Sequence, residues 1–574
     1  MSLLNDASLV LIPSGYKENK VYSIIPSDGS GDLDFVRGSE GTRINSLGQV
    51  ENVCWNLLQQ SETFNNAYWY KNNTNIYSNV EIAPNGTTTA DKLEANTTSS
   101  NYINETGGFN INCTRFVYAK AGNFSEITIL WDSYNNGKYA TFNLSNGTVS
   151  YGGAGITASI ESVGNGWYKC ITSGATNYPY LLTLNGATNN AISNGSFVYI
   201  WGAQLNVGST AKPYFPTTDR LNVPRLTYEN GCPSLLLEKQ STNIITYSED
   251  FSNGDWGKED ISVTTNSAIS PDGTQNADKL VPNTNNIDHA IYQSKLSFTG
   301  ANVSFSVYAK AAGYDYIFLG SNNNVSSDGA FFNLTNGTIS QNTSSLSASI
   351  QSVGNGWYRC TVSSSNYPTV YAIICASQNG TSLIFSGDNT KGIYTWGAQG
   401  EISTYPTSYI PTTSTSVTRL ADECNKGGIS SLIGSEFTLF FDGYESTGGV
   451  SSRYLVLKGS GGTYANAVFL ESSSSNRIAL TILDNSSSSI FGALSGSLTN
   501  GERIKIAVRC KNNDFSFYIN GNLIASQTSG TVPTMSALYL GYYPDYADSY
   551  NKVNQFILFN RGLTDTELAQ LTTI

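Results

Sequence analysis

Two kinds of aromatic–cation pair recur in this chain. Tyr118 stands two residues before Lys120, and Tyr308 two before Lys310. Trp167 stands two residues before Lys169, and Trp357 two before Arg359. Residues i and i+2 of a strand share a face, so each pair would set a ring beside a cation. Sugar recognition needs that combination: aromatic faces with hydrogen-bonding groups in one groove. Tyr118, Lys120, Tyr308, Lys310, Trp167 and Trp357 are therefore the candidate glycan-binding residues. The alternative is structural, a ring covering the sheet with a cation over it. Trp201 and Trp396 read as core.

Catalytic and metal chemistry have fewer candidates. Glycoside hydrolysis needs two carboxylates about 5 to 10 Å apart. Glu62 and Glu249 recur at matching positions, and so do Asp91 and Asp278. No catalytic pairing stands out among them, and the sequence reading is that the chain is not an enzyme. The same four acids are the candidate ligands for a structural calcium, since carboxylates suit that ion. No other cofactor is expected. The single histidine, His289, precludes a repeated Ser-His-Asp triad and a His-rich metal site. It reads as a surface or turn residue. The eight cysteines include no Cys-x-x-Cys pair and read as reduced.

The elements that would carry these residues come from a duplication. Ala158–Cys170 reads ASIESVGNGWYKC and Ala348–Cys360 reads ASIQSVGNGWYRC. Only Glu161/Gln351 and Lys169/Arg359 differ. NLLQQSETF from Asn56 matches NIITYSEDF from Asn243, and Trp201-Gly202-Ala203-Gln204 matches Trp396-Gly397-Ala398-Gln399. A period of about 190 residues is a duplicated domain, since solenoid units run 20 to 50. Within each copy the pattern alternates with period two, as in Phe305-Ser306-Val307-Tyr308-Ala309-Lys310, and Asn-Gly turns recur. This predicts an all-β chain of tandem jelly-roll sandwiches. The expected organisation is an anchoring and assembly segment over 1–54, repeat A over 55–217, a linker over 218–239, repeat B over 240–415, a linker over 416–428 and a last sandwich over 429–574. One short helix closes the chain, with Thr564 and Glu567 forming a capping box and Leu563 and Leu568 at the staple positions.

The 574 residues carry a net charge of −12, which argues against a nucleic-acid footprint. The N-terminus has no basic region of a signal peptide, and no apolar run reaches 18 residues. Assembly in a reducing cytoplasm without membrane insertion is expected. Leu3 to Ile12 is apolar enough to bury against partners.

These motifs resemble a group of bacteriophage virion-surface proteins. Leu33-Asp34-Phe35-Val36-Arg37 through Thr42-Arg43-Ile44-Asn45 and on to Glu51 looks like their arginine-containing lead-in. The repeats resemble their carbohydrate-binding-like jelly rolls. Tyr518-Ile519-Asn520-Gly521 and the run Phe559 to Leu568 look like a laminin-G, concanavalin-like sandwich. The resemblance implies a head or tail fibre or decoration subunit, on the virion surface, in a homo-oligomer such as a trimer. Its partners would be other virion proteins, through the N-terminal segment, and host-surface or mucosal glycans. The alternatives are a structural spacer without ligand and a capsular polysaccharide depolymerase. The lead-in occurs whole before repeat A and only in part before repeat B, so Arg220–Gln240 can pack on the first segment.

Overall fold

The computed structural model describes residues 3–105, 107, 111–132, 137–176, 178–184, 192–228, 231–293, 301–320, 328–342, 346–367, 372–444, 453–473, 476–499, 501–541 and 550–574. Met1 and Ser2, at the start of the expected anchoring segment, lie outside them. The fold is nearly all β, as expected, with one terminal α-helix. It divides into two compact units, Cys54–Leu221 and a larger one built from Met1–Val53 with Asn222–Ile574.

The smaller unit holds repeat A as two six-stranded antiparallel sheets. One contains Trp69–Asn72, Tyr102–Glu105, Leu181–Thr183, Glu126–Leu130, Tyr139–Asn143 and Thr148–Gly152, in spatial order. The other runs Thr74–Glu81, Ala90–Ala95, Phe197–Val207, Ile111–Ala121, Trp167–Thr176 and Ile156–Gly164. Val117, Ala119, Cys170, Ile200 and Ile129 meet in the core between them. Repeat B, in the larger unit, has the same two-sheet order. There Phe305, Val307 and Ala309 point into the core, as the alternation predicts.

The repeated motifs explain how each sandwich closes. Asn243 donates to the carbonyls of Ala398 and Ile410, and its Oδ1 accepts from the amides of Ile245 and Gly400. Asn56 does the same with Ala203, Phe215, Leu58 and Leu205. Gln399 accepts from the Ile410 amide, and Gln204 from Phe215. These buried amides strap the Pro-Thr-Thr segment to the sheet. The glycine between Trp and Ala in that motif makes a bulge at φ +63° for Gly397 and +62° for Gly202. A Cβ there would stand 3.0 Å from the Tyr308 or Tyr118 ring. Gly397→Ala is expected to lose at least about 1 kcal/mol, because the new methyl meets both a left-handed backbone and a ring. A chemical-denaturation midpoint equal to the parent's would refute this.

The third sandwich revises the expected organisation. Its eight-stranded sheet includes Phe437–Tyr444 and Arg503–Lys511, but also Ala7–Leu11 and Ser234–Glu238, both paired with Tyr550–Phe559. Its nine-stranded sheet pairs Leu33–Val36 with Glu423–Gly427. Parts of the ranges read as an anchor, 1–54, and as linkers, 218–239 and 416–428, are thus strands of the last sandwich. The reason is apolar burial: Leu9, Leu11, Val21, Leu33, Phe35, Leu235, Leu237 and Cys424 join one core with Phe441, Val508 and Leu558. The apolar start of the chain is buried against its own C-terminal strand.

Five charges lock these segments together. Arg37 reaches Asp422 at 3.1 Å, and Arg225 reaches Glu238 at 2.7 Å and also contacts Asp422. Arg419 stands 3.4 Å from Glu238 and 3.8 Å from Asp422. All five side chains are at most 1% exposed. Burial pushes the Glu238 carboxyl up, but Arg225 and Arg419 outweigh it and hold it down at about 2. Two of the arginines sit in matching Val-x-Arg-Leu segments, Val223–Leu226 and Val417–Leu420.

At the C-terminus, the helix Asp565–Thr572 carries the expected capping box between Thr564 and Glu567, and Leu563 and Leu568 are buried.

Candidate functional site

The candidate rings lie on the outer face of the second sheet of each repeat. Cross-strand pairing sets each tyrosine in a row of four side chains, with Trp167 and Trp357 outside it. In repeat A it runs Glu161, Lys169, Tyr118, Trp201. In repeat B it runs Gln351, Arg359, Tyr308, Trp396. The two rows have the same geometry and different surroundings.

The rings of repeat B's row are sealed, while Gln351 at its end stays exposed and Arg359 half-buried. The hairpin Thr42–Ile44/Val50–Asn52 lies over it, and Val50 packs with Tyr308, Trp357, Trp396 and Tyr409 in a second hydrophobic cluster. The Val50 amide donates to the Pro271 carbonyl at 2.9 Å, and Thr42 donates to the Tyr409 carbonyl. Tyr308 and Trp357 are each 2% exposed. Arg359 is engaged by the Thr407 carbonyl at 2.8 Å and the Ser306 hydroxyl, and Lys310 by the Asn355 carbonyl. The expected open glycan site at Tyr308, Lys310 and Trp357 is therefore corrected. The face is opposite the main core, as read, but it forms a second core.

Repeat A's row is open on its own unit. Trp167 is again buried, because the segment around Ile82 and Ala83 arches over it and the Ile82 carbonyl accepts its indole N–H at 2.9 Å. Lys120 is paired with Glu81 at 3.2 Å. Those two expectations are corrected as well. Tyr118 differs: it is half-buried, packed 5.3 Å from Trp201 and 5.8 Å from Tyr214. Lys169 lies 4.2 Å over the Phe116 ring. Among the described residues, neither the Lys169 ammonium nor the Tyr118 hydroxyl has a hydrogen-bond partner, and the buried Trp201 Nε1 has none. Burial lowers the Lys169 pKa, against the opposing pull of exposed Glu161. The Trp201 Nε1 is enclosed, as is the equivalent Trp396 Nε1 of repeat B, so the face offers ring edges and faces, two unspent donors and one carboxylate.

The four carboxylates considered for calcium serve the frame. Asp91 accepts from the amides of Phe64 and Asn79, and Asp278 from Phe251 and Asn266. Tyr214 donates to Glu62 at 3.1 Å, and Tyr409 to Glu249 at 3.0 Å. No cluster of three metal-ligating side chains occurs among the described residues. Burial, reinforced by Asp272, raises the Glu249 carboxyl to about 7, and burial raises Asp278 to about 6. A carboxyl raised in the folded state holds its proton better there than in the unfolded chain. Its contribution is fully present below the unfolded value and is lost as pH rises through the folded one. The melting temperature is expected to fall from pH 5 to pH 8, and Glu249→Gln should flatten that slope. A melting temperature that rises over this range would refute the assignment.

His289 is buried, not at the surface. Its ring nitrogens lie 2.7 Å from the Asp260 carbonyl and 3.0 Å from that of Phe385. The eight cysteines are free thiols, and all but Cys232 are buried.

No protein-family model matches the chain, and no curated protein matches it. Solved structures match only in part. The carbohydrate-binding module CBM40 of a Ruminococcus gnavus sialidase, bound to α2,3-sialyllactose, is 14% identical at a TM-score of 0.22, over 25% of this chain and 84% of its own. The receptor-binding domain of a botulinum neurotoxin C/D mosaic is 13% identical at 0.22, over 26% of this chain and 40% of its own. These weak matches are thus to a carbohydrate-binding module and a receptor-binding domain. NanB sialidase from Streptococcus pneumoniae is also among them, 16% identical at 0.22, over 26% of each chain. The expectation of a non-enzyme is withdrawn on that finding, and so small an overlap assigns no catalysis.

Proposed function

We propose that this chain is a bacteriophage virion-surface subunit, a head or tail fibre or decoration protein, and that repeat A binds host-surface or mucosal glycans. One observation carries the binding reading: Tyr308 is covered in repeat B, whereas the matching Tyr118 is half-open in repeat A beside Lys169, and both are unspent there. A pyranose presents an apolar face rimmed by hydroxyls, which suits rings bordered by donors and a carboxylate. The lead-in and repeat motifs support the virion assignment, and the carbohydrate-binding character of the structural neighbours agrees with the ligand class. The subunit would be made in the host cytoplasm and assemble as a homo-oligomer, such as a trimer, with other virion proteins. Repeat B, with its face filled by Val50, acts as the spacer.

The test is a glycan array on the full-length chain. Lys169→Ala and Glu161→Ala should each weaken binding at least about tenfold, equivalent to about 1.4 kcal/mol. Gln351→Ala, at the position matching Glu161, and Lys310→Ala, elsewhere in repeat B, should leave binding unchanged. Equal loss from both repeats, or no binding by the parent, would overturn the reading.

A further inference from the structure

A second register of side chains runs along the same outer face of repeat A, open at its Tyr77 end and covered at Trp167 by the segment around Ile82 and Ala83. Pairing aligns Tyr77 with Lys92, Lys92 with Tyr199, Tyr199 with Lys120 and Lys120 with Trp167. Tyr77, on the edge strand, is 43% exposed. The Lys92 ammonium stands 4.0 Å from the Tyr77 ring centroid and 5.0 Å from that of Phe197. Repeat B has no such edge platform: Thr264 replaces Tyr77 and Gly392 replaces Phe197 at the aligned positions. With the row ending at Glu161, polar and aromatic groups reach from one edge strand to the other. Six strands at a spacing of about 4.8 Å span about 24 Å, the length of several linked pyranoses.

The cations in these rows are balanced. Lys92 pairs with Glu94 at 2.7 Å, Lys120 with Glu81 at 3.2 Å, and Lys169 faces Glu161 across the sheet. Three cations meet these three carboxylates, and Glu62, held by Tyr214, adds a further acid, leaving no net positive charge to recruit an acidic ligand.

We propose that repeat A takes an extended, neutral, linear oligosaccharide, with Tyr77 and Lys92 forming a distal subsite and Tyr118, Lys169 and Glu161 a proximal one. This rests on the glycan-binding reading above and specifies the ligand's length and charge. Tyr77 then matters only to chains long enough to reach it, while Lys169 and Glu161 matter to all.

The experiment immobilises malto-, cello- and manno-oligosaccharides of one to six residues, beside sialylated and uronic-acid glycans, and measures full-length parent, Tyr77→Ala and Tyr77→Phe. Affinity for at least one neutral series should rise with length. Tyr77→Ala should cut binding of the longest chains at least tenfold and leave the shortest bound forms unchanged. Tyr77→Phe, which keeps the ring, should retain long-chain binding, and a parental melting temperature for both variants shows that the fold is intact. Length-independent binding, an unaltered Tyr77→Ala, or binding restricted to acidic glycans overturns this inference while the glycan reading survives. Absence of any binding by the parent overturns both.

Discussion

Asp422→Ala should destabilise the larger unit by about 3–5 kcal/mol, a large fraction of what holds an ordinary domain folded. Asp422 is fully buried, contacts Arg37, Arg225 and Arg419, and also accepts from the Glu238 amide. Removing it takes the carboxylate from Arg37 and leaves Arg225 and Arg419 to Glu238, with Glu401 acting on Arg419 from farther off, so the buried cluster carries excess positive charge. The desolvation cost of the arginines was already present in the parent, so the variant keeps the cost and loses the compensation. Denaturant unfolding of the full chain would show the larger unit's transition shifted, with that of Cys54–Leu221 in place. A shift under 1 kcal/mol would mean that water or a rearranged carboxylate replaces Asp422. By the same logic, removing residues 1–50 takes away Arg37 and the strand Ala7–Leu11, so an unfolded larger unit is expected.

Phe305→Ala and Tyr308→Ala should both unfold repeat B, each by a few kcal/mol and Phe305→Ala by about 3–5. The two residues point to opposite faces of one strand. Phe305 fills the space between the sheets, and Tyr308 lies under the hairpin that carries Val50, against Trp396 and Tyr409. Tyr118→Ala, at the matching position in repeat A, removes a half-buried ring and should cost less. Thermal unfolding of the three variants gives the order, and a Tyr308→Ala protein as stable as the parent would show that the hairpin does not seal that face in solution.

The duplication made the sandwich legible. Alternation in Phe305–Lys310 sorted core from outer face correctly, and Thr564 with Glu567 marked the only α-helix among the described residues. Period two cannot say whether the outer face meets water. That depends on the hairpin 42–52, which precedes repeat A in sequence and covers repeat B in space. The strands at 7–11 and 33–36 were hidden for a similar reason. They are short, and their partners lie hundreds of residues away. Tyr77 and Phe197 have no matching rings in repeat B, so the duplication carries no signal for them. Identity between copies marks the frame: Asn56 and Asn243, the glycine bulges, the buried Trp167 and Trp357. The two substitutions in the thirteen-residue motif, Glu161/Gln351 and Lys169/Arg359, fall on the row whose tyrosine is half-open in one copy and covered in the other.

The pairing of Ala7–Leu11 with Tyr550–Phe559 also sets a schedule for the growing chain. At about 5–20 residues per second, a ribosome takes roughly half a minute to two minutes to travel between these strands. Throughout that interval Leu9 and Leu11 have no strand partner, and Arg37 waits for Asp422. Cys54–Leu221, whose pairing strands lie within one stretch, can complete its sandwich while the rest is still being made. Premature termination before residue 550 would therefore release a finished repeat A attached to an N-terminal segment with exposed apolar strands, a product inclined to aggregate, so translation to the end is itself a condition for the solubility of the beginning.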